Sequence, residues 1–123
     1  MKTILAVDDE PHILRLIQFT LERAGYEVVT AQNGAEALKV IDGRRPALII
    51  SDVMMPYVNG FEFLRRLRAN SQTADIPVIL LTVRSSDTDI SDAWSMGVDL
   101  YLPKPFMPAE LISFVERLLP EAD

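Results

Sequence analysis

Five short runs along the chain are apolar almost throughout: TILAV (Thr3 to Val7), EVVT (Glu27 to Thr30), ALIIS (Ala47 to Ser51), PVILLT (Pro77 to Thr82) and VDLYL (Val98 to Leu102). They are rich in β-branched and bulky residues and are bounded by turn formers, the pattern of strands buried on both faces. Between them the apolar positions recur with helical spacing. Ile13, Leu14, Ile17, Leu21 and Ala24 form one stripe, Ala37, Leu38 and Ile41 a second, and Phe61, Leu64 and Leu67 with Arg68 a third. A weaker fourth segment carries Ile90, Ala93, Trp94 and Met96, and the last carries Leu111, Ile112, Val115, Leu118 and Leu119. The punctuation agrees: Gly25 and Gly97 stop the first and fourth segments, Asn33-Gly34 and Asn59-Gly60 open the second and third, and Gly43 closes the second.

Strands without polar alternation, each followed by a helix, predict an α/β fold in which a parallel sheet is covered by helices on both faces. Five strands are too few for a closed barrel, so the sheet is expected to be open and doubly wound. In such sheets a ligand site lies beyond the carboxyl ends of the strands.

Composition narrows the reading. The 123 residues suit a single domain spanning positions 1–123, and 49% hydrophobic with 24% charged residues is the balance of a globular chain. The net charge of -6, with no block of Lys or Arg, gives no stripe for a phosphate backbone, so direct nucleic-acid binding is not expected. No cysteine is present, which removes disulfides and thiolate chemistry. With no leader pattern and no run of membrane-spanning length, no membrane association and a cytoplasmic location are expected.

The chemistry is concentrated where the strands end. Asp8, Asp9 and Glu10 follow the first strand, Asp52 the third, Thr82 the fourth and Lys104 the fifth. A carboxylate at the end of a buried run loses hydration at a cost of several kcal/mol, about 2–7 for a polar group without a partner, so Asp52 calls for a compensating neighbour. Clustered carboxylates repel; either one holds a proton or a hard divalent cation joins them, and oxygen ligands suit Mg2+. With Lys104 as a further compensating charge, Asp52 becomes a natural nucleophile towards phosphorus, because both cations stabilise the transferring oxygens. The blander reading of Asp8, Asp9 and Glu10, helix capping, leaves Asp52 opposite them unexplained. His12 reads as a surface residue, Arg65, Arg66 and Arg68 as a solvated face, and Met54, Met55, Met96 and Met107 as packing.

AVDDEP (Ala6 to Pro11), SDVMMPYVNGFEFLRRLR (Ser51 to Arg68), ILLT (Ile79 to Thr82) and GVDLYLPKPF (Gly97 to Phe106) together resemble the receiver domain of bacterial response regulators, over essentially the whole chain and in the same order. The resemblance implies a flavodoxin-like sheet of order 2-1-3-4-5 and a signalling switch of two-component systems rather than an enzyme. It implies that Asp52 accepts a phosphoryl group from a histidine kinase or histidine phosphotransfer protein. It further implies that Asp9, Asp52 and the Met54 backbone carbonyl bind Mg2+ directly, with Asp8 acting through water. Thr82 would bond one phosphoryl oxygen and Lys104 another, and Tyr101 would swing inward. The Lys104–Pro105 peptide would be cis. The face formed by the fourth helical segment, the fifth strand and the last helix, with Ile90, Trp94, Tyr101, Phe106 and Phe114, would then bind a downstream protein target.

Val83 stands where the family carries a very small residue, placing a bulkier wall beside the phosphoryl position. Leu100 and Phe114 replace the acid and arginine of the winged-helix subfamily, so its salt-bridged dimer is not expected and a monomer or weak dimer is. The chain ends at LLPEAD, after the last helical period, which suits a stand-alone chemotaxis-type receiver or one cut from a larger response regulator or hybrid kinase. Two alternatives remain in view. A phosphatase of the haloacid-dehalogenase type would carry its nucleophile in a DxD motif after the first strand; a degenerate receiver serving as a phosphorylation-independent scaffold would lack an acid or the lysine.

Overall fold

The computed structural model describes residues 2–53, 59–82 and 97–119. Five parallel strands, β1 (Thr3–Val7), β2 (Glu27–Ala31), β3 (Leu48–Asp52), β4 (Val78–Thr82) and β5 (Leu100–Pro103), form one sheet in the order β2-β1-β3-β4-β5. The described helices are α1 (Pro11–Arg23), α2 (Gly34–Gly43), α3 (Gly60–Ala69) and α4 (Pro108–Leu118). The fourth predicted helical segment, with Ile90 and Trp94, lies outside the described residues, as do Met54 and Val83.

The unbroken apolar runs have a direct explanation. Successive side chains of a strand point to opposite faces, and both faces here are covered. Ile4, Ala6, Leu48, Ile50, Ile79 and Leu81 pack on Leu14, Ile17 and Leu21 of α1 and Leu111 and Val115 of α4. Their neighbours Leu5, Val7, Ile49, Val78 and Leu80 pack on Ala37 and Ile41 of α2 and Phe63, Leu64 and Leu67 of α3. Each Leu or Ile so buried contributes about 1.5–3 kcal/mol.

Local signals set the helix starts. The Asn33 side chain accepts the Glu36 N–H at 2.8 Å, and Asn59 accepts that of Glu62 at 2.9 Å, each satisfying one of the orphan donors at a helix N-terminus. α1 and α4 begin at Pro11 and Pro108, where proline costs no hydrogen bond. Gly25, at φ 101°, makes the left-handed turn that leads from α1 into β2.

Three expectations are corrected. Phe63 is fully buried whereas Phe61 is only half-buried, so the stripe of α3 is rotated towards Phe63. Met107 is 66% exposed as the residue that caps α4, its N–H donating to the Glu110 carboxylate at 2.8 Å. Arg68 is not part of a solvated face. Its guanidinium donates to the carbonyls of Ala74 (3.1 Å), Ile76 (2.7 Å) and Gly97 (3.0 and 2.7 Å), and to the Asp99 carboxylate (3.2 Å). Asp99 in turn accepts the Val78 N–H at 2.8 Å. Arg68 thus ties the last turn of α3 to the starts of β4 and β5, at the sheet edge opposite the acids.

Removing the guanidinium takes the donor from the part-buried bonds to the Ala74 and Ile76 carbonyls, an orphaned buried acceptor costing roughly 1–3 kcal/mol, and from the more exposed bonds to Gly97 and Asp99. Arg68→Ala is predicted to lower unfolding free energy by about 2–3 kcal/mol in urea titration. Arg68→Lys should recover less than half, since an ammonium lacks the planar fork. A loss below about 0.5 kcal/mol for Arg68→Ala would refute the clamp.

Candidate functional site

Register decides what meets at the carboxyl edge. Val7 of β1 lies beside Ser51 of β3, Asp52 beside Leu81 of β4, and Thr82 beside Pro103 of β5. Asp8, Asp52, Thr82 and Lys104 therefore leave the sheet at one level, though 96 residues separate the first from the last.

Asp8 extends the β1–β2 ladder by one bond, its N–H donating to the Ala31 carbonyl at 3.1 Å. Its side chain then turns the chain into α1: one carboxylate oxygen accepts the Glu10 N–H at 2.9 Å. The other accepts from Lys104 Nζ at 2.8 Å. Asp52, the last residue of β3, is buried, with its Oδ1 3.4 Å from the same Nζ. Glu10 Oε1 is 3.3 Å from that nitrogen, and Glu10 Oε2 is 3.8 Å from His12 Nε2. The turn that delivers Lys104 is fixed by its own N–H, which donates to the Thr82 carbonyl at 2.6 Å, and the Lys104–Pro105 peptide is cis as expected.

Close packing holds Asp52 in place. Val53 N–H donates to the Leu81 carbonyl and Gly60 N–H to the Val53 carbonyl, at 3.0 and 2.9 Å. A Cβ at Gly60 would fall 2.5 Å from the Asp52 carbonyl oxygen, so the start of α3 is seated against the backbone of Asp52 in a way only glycine permits.

The electrostatics follow from burial. Desolvation raises the Asp8 carboxyl above its ordinary value, and the Lys104 hydrogen bond and charge only partly reverse this. For Lys104 burial acts downward, but Asp8, Asp52 and Glu10 together outweigh it and its pKa is raised. The ammonium stays charged at neutral pH, and the site holds excess negative charge around it.

The predicted residues are thus brought together: Asp8, Asp52 and Lys104 in contact, Asp9 exposed beside them, and Thr82 buried at the end of β4. Asp8, Asp9 and Glu10 each offer a carboxylate oxygen within 4.8 Å of one another, a hard-oxygen set that fits a divalent cation. Met54, whose carbonyl was expected in that set, lies outside the described residues. Tyr101 is half-buried against the α2–α3 side of the core and Phe114 is half-buried, but Phe106 is buried in the α1–α4 side. Phe106 is therefore removed from the expected binding face. The ion pair of Glu10 with Lys104 was not foreseen; Glu10 was expected among the clustered carboxylates, with helix capping as the blander reading.

Residues 4–116 match the family model of the response regulator receiver domain. The chain is 42% identical over 118 residues to the phosphate regulon transcriptional regulatory protein PhoB of Pseudomonas aeruginosa, covering 96% of this chain and 52% of that protein. It is 42% identical to the alkaline phosphatase synthesis transcriptional regulatory protein PhoP of Bacillus subtilis, covering 96% and 48%. It thus spans about half the length of these relatives. Among solved structures, the chemotaxis response regulator CheY4 of Vibrio cholerae superposes with a TM-score of 0.91 at 40% identity, covering 96% of this chain and 98% of that one.

A carboxyl whose pKa is raised by folding binds protons more tightly folded than unfolded, so wild-type stability falls as pH rises from the ordinary value of 3.8 through the raised one. Asp8→Asn removes the buried charge and keeps one of the two hydrogen bonds, because its amide oxygen still accepts while its NH2 group cannot accept from the second donor. In metal-free buffer it is predicted to raise the melting temperature by a few degrees at pH 7, with the gain shrinking as pH falls towards 3.8. A lower melting temperature at pH 7 would contradict it.

Proposed function

The chain belongs to the response regulator receiver domain family, and from that membership we propose that it is the phosphoryl-accepting switch of a two-component pathway, with Asp52 as the acceptor. The observation that carries this reading is the Lys104 ammonium set between Asp8 (2.8 Å) and Asp52 (3.4 Å) at the carboxyl edge of the sheet.

An Asp52 oxygen attacks the phosphorus of a phosphohistidine on a histidine kinase or phosphotransfer protein. The P–N bond breaks as the P–O bond forms, and the departing imidazole takes up a proton. Asp8, Asp9, Asp52 and the Met54 carbonyl would hold Mg2+, which supplies positive charge to the phosphoryl oxygens. Lys104 supplies a second positive charge to the same oxygens. Gly60 keeps the acceptor fixed by closing α3 onto its backbone.

Phosphorylation puts about 1.5 to 2 negative charges where one carboxylate stood. Lys104 pairs with one new oxygen, the Thr82 hydroxyl turns to another, and Tyr101 moves into the space behind. The surface of β5, α4 and the preceding segment changes shape, and a downstream protein partner reads that change.

Incubation with acetyl phosphate and Mg2+ followed by intact-mass measurement tests the assignment. Wild type is predicted to gain one phosphoryl group, lost on chelation of Mg2+ from the reaction mixture beforehand, and Asp52→Ala to gain none. Equal labelling of Asp52→Ala would refute Asp52 as acceptor. No labelling of wild type by either acetyl phosphate or a phosphorylated histidine kinase would favour a scaffold.

A further inference from the structure

An ammonium has three N–H donors, and at Lys104 each faces a carboxylate: Asp8 at 2.8 Å, Glu10 at 3.3 Å and Asp52 at 3.4 Å. The Lys104 side chain is only 7% exposed, so water cannot substitute freely for a lost partner. Asp8 and Asp52 belong to the group proposed above to hold a cation; Glu10 is half-exposed and, although one of its carboxylate oxygens lies within 4.8 Å of those of Asp8 and Asp9, it turns Oε1 to Lys104 and Oε2 towards His12. When Asp52 directly, and Asp8 through water, turn an oxygen to a dication, two of the three carboxylates around Lys104 are drawn away from it and the ammonium faces a like charge.

We propose that Glu10 is a positioning residue for Lys104: its carboxylate holds the ammonium over the site while Asp8 and Asp52 engage a divalent cation, and it thereby sets the affinity of the site for Mg2+ without ligating it. The inference rests on the metal-assisted reading above. Glu10 is fixed for this task by its own N–H, which donates to Asp8 Oδ1 at 2.9 Å, while its second carboxylate oxygen faces His12 at 3.8 Å. Without the Glu10 charge, the ammonium would hold Asp8 and Asp52 more tightly and its repulsion of the dication would go unbalanced.

The test is calorimetric titration of Mg2+ alone into wild type, Glu10→Gln, Lys104→Met and the double variant. Glu10→Gln is expected to weaken Mg2+ binding about two- to fivefold, the range of a partly exposed ion pair. In the Lys104→Met background the same change should cost about 1.3-fold or less, since the remaining field is screened. An equal loss in both backgrounds would overturn the proposal in favour of Glu10 as a ligand or a mere source of field, and no loss in either would overturn it outright. Wild type that binds no Mg2+ would defeat the metal-assisted reading itself, an outcome visible before any variant is compared.

Should Lys104→Met not fold, the lysine Nζ resonance decides. In Mg2+-saturated wild type the Lys104 ammonium protons should remain slow to exchange, and in Glu10→Gln they should be lost to exchange. Equal exchange in the two proteins would overturn the proposal.

Discussion

One ammonium holds the working edge of this molecule together. Lys104 is buried where three acidic side chains converge, and its positive charge compensates the buried carboxylates of Asp8 and Asp52. The compensation is incomplete: burial still raises the Asp8 carboxyl despite the bond to Lys104. A site in that condition is electrostatically suited to further positive charge and to a group that can occupy the ammonium in place of a carboxylate. Both properties suit a divalent cation and a phosphoryl group.

The sheet makes this convergence possible. Parallel strands all point their carboxyl ends the same way, so four segments distant in sequence contribute to one edge. The opposite edge is built differently. There arginines meet carboxylates and carbonyls in local pairs: Arg44 with Glu27 and Thr3, Arg45 with Asp75 and the Gln72 carbonyl, and Arg68 with Asp99 and three backbone carbonyls. Charge is matched at the edge that holds the fold, and left unmatched at the edge that carries the chemistry.

Much of this was legible in the sequence, for physical reasons. Strands covered on both faces are apolar at every position, and Asn-Gly pairs open helices because asparagine caps the exposed N–H groups. Acids and a lysine just beyond apolar runs have to meet if the runs are parallel strands. Several missed features involve partners outside the residue's own element. Arg68 has the helical position of a surface residue, and nothing in its own helix announces the carbonyls of residues 74, 76 and 97. Phe106 follows a Lys-Pro turn and reads as surface, yet that turn directs it under α1 and α4. Glu10 was counted with the clustered acids, capping being the blander reading; its side chain makes no capping bond to α1 and pairs instead with Lys104.

The account stands on Lys104 exchanging a carboxylate for a phosphoryl oxygen. The most direct measurement is a crystal structure with Mg2+ and beryllium trifluoride, a tetrahedral mimic of the phosphoryl group. The account predicts the beryllium on an Asp52 oxygen, with Lys104 Nζ within hydrogen-bonding reach of a fluoride, about 3 Å. Lys104 still bonded to Asp52 with the mimic in place, or the mimic bound at another residue, would contradict it.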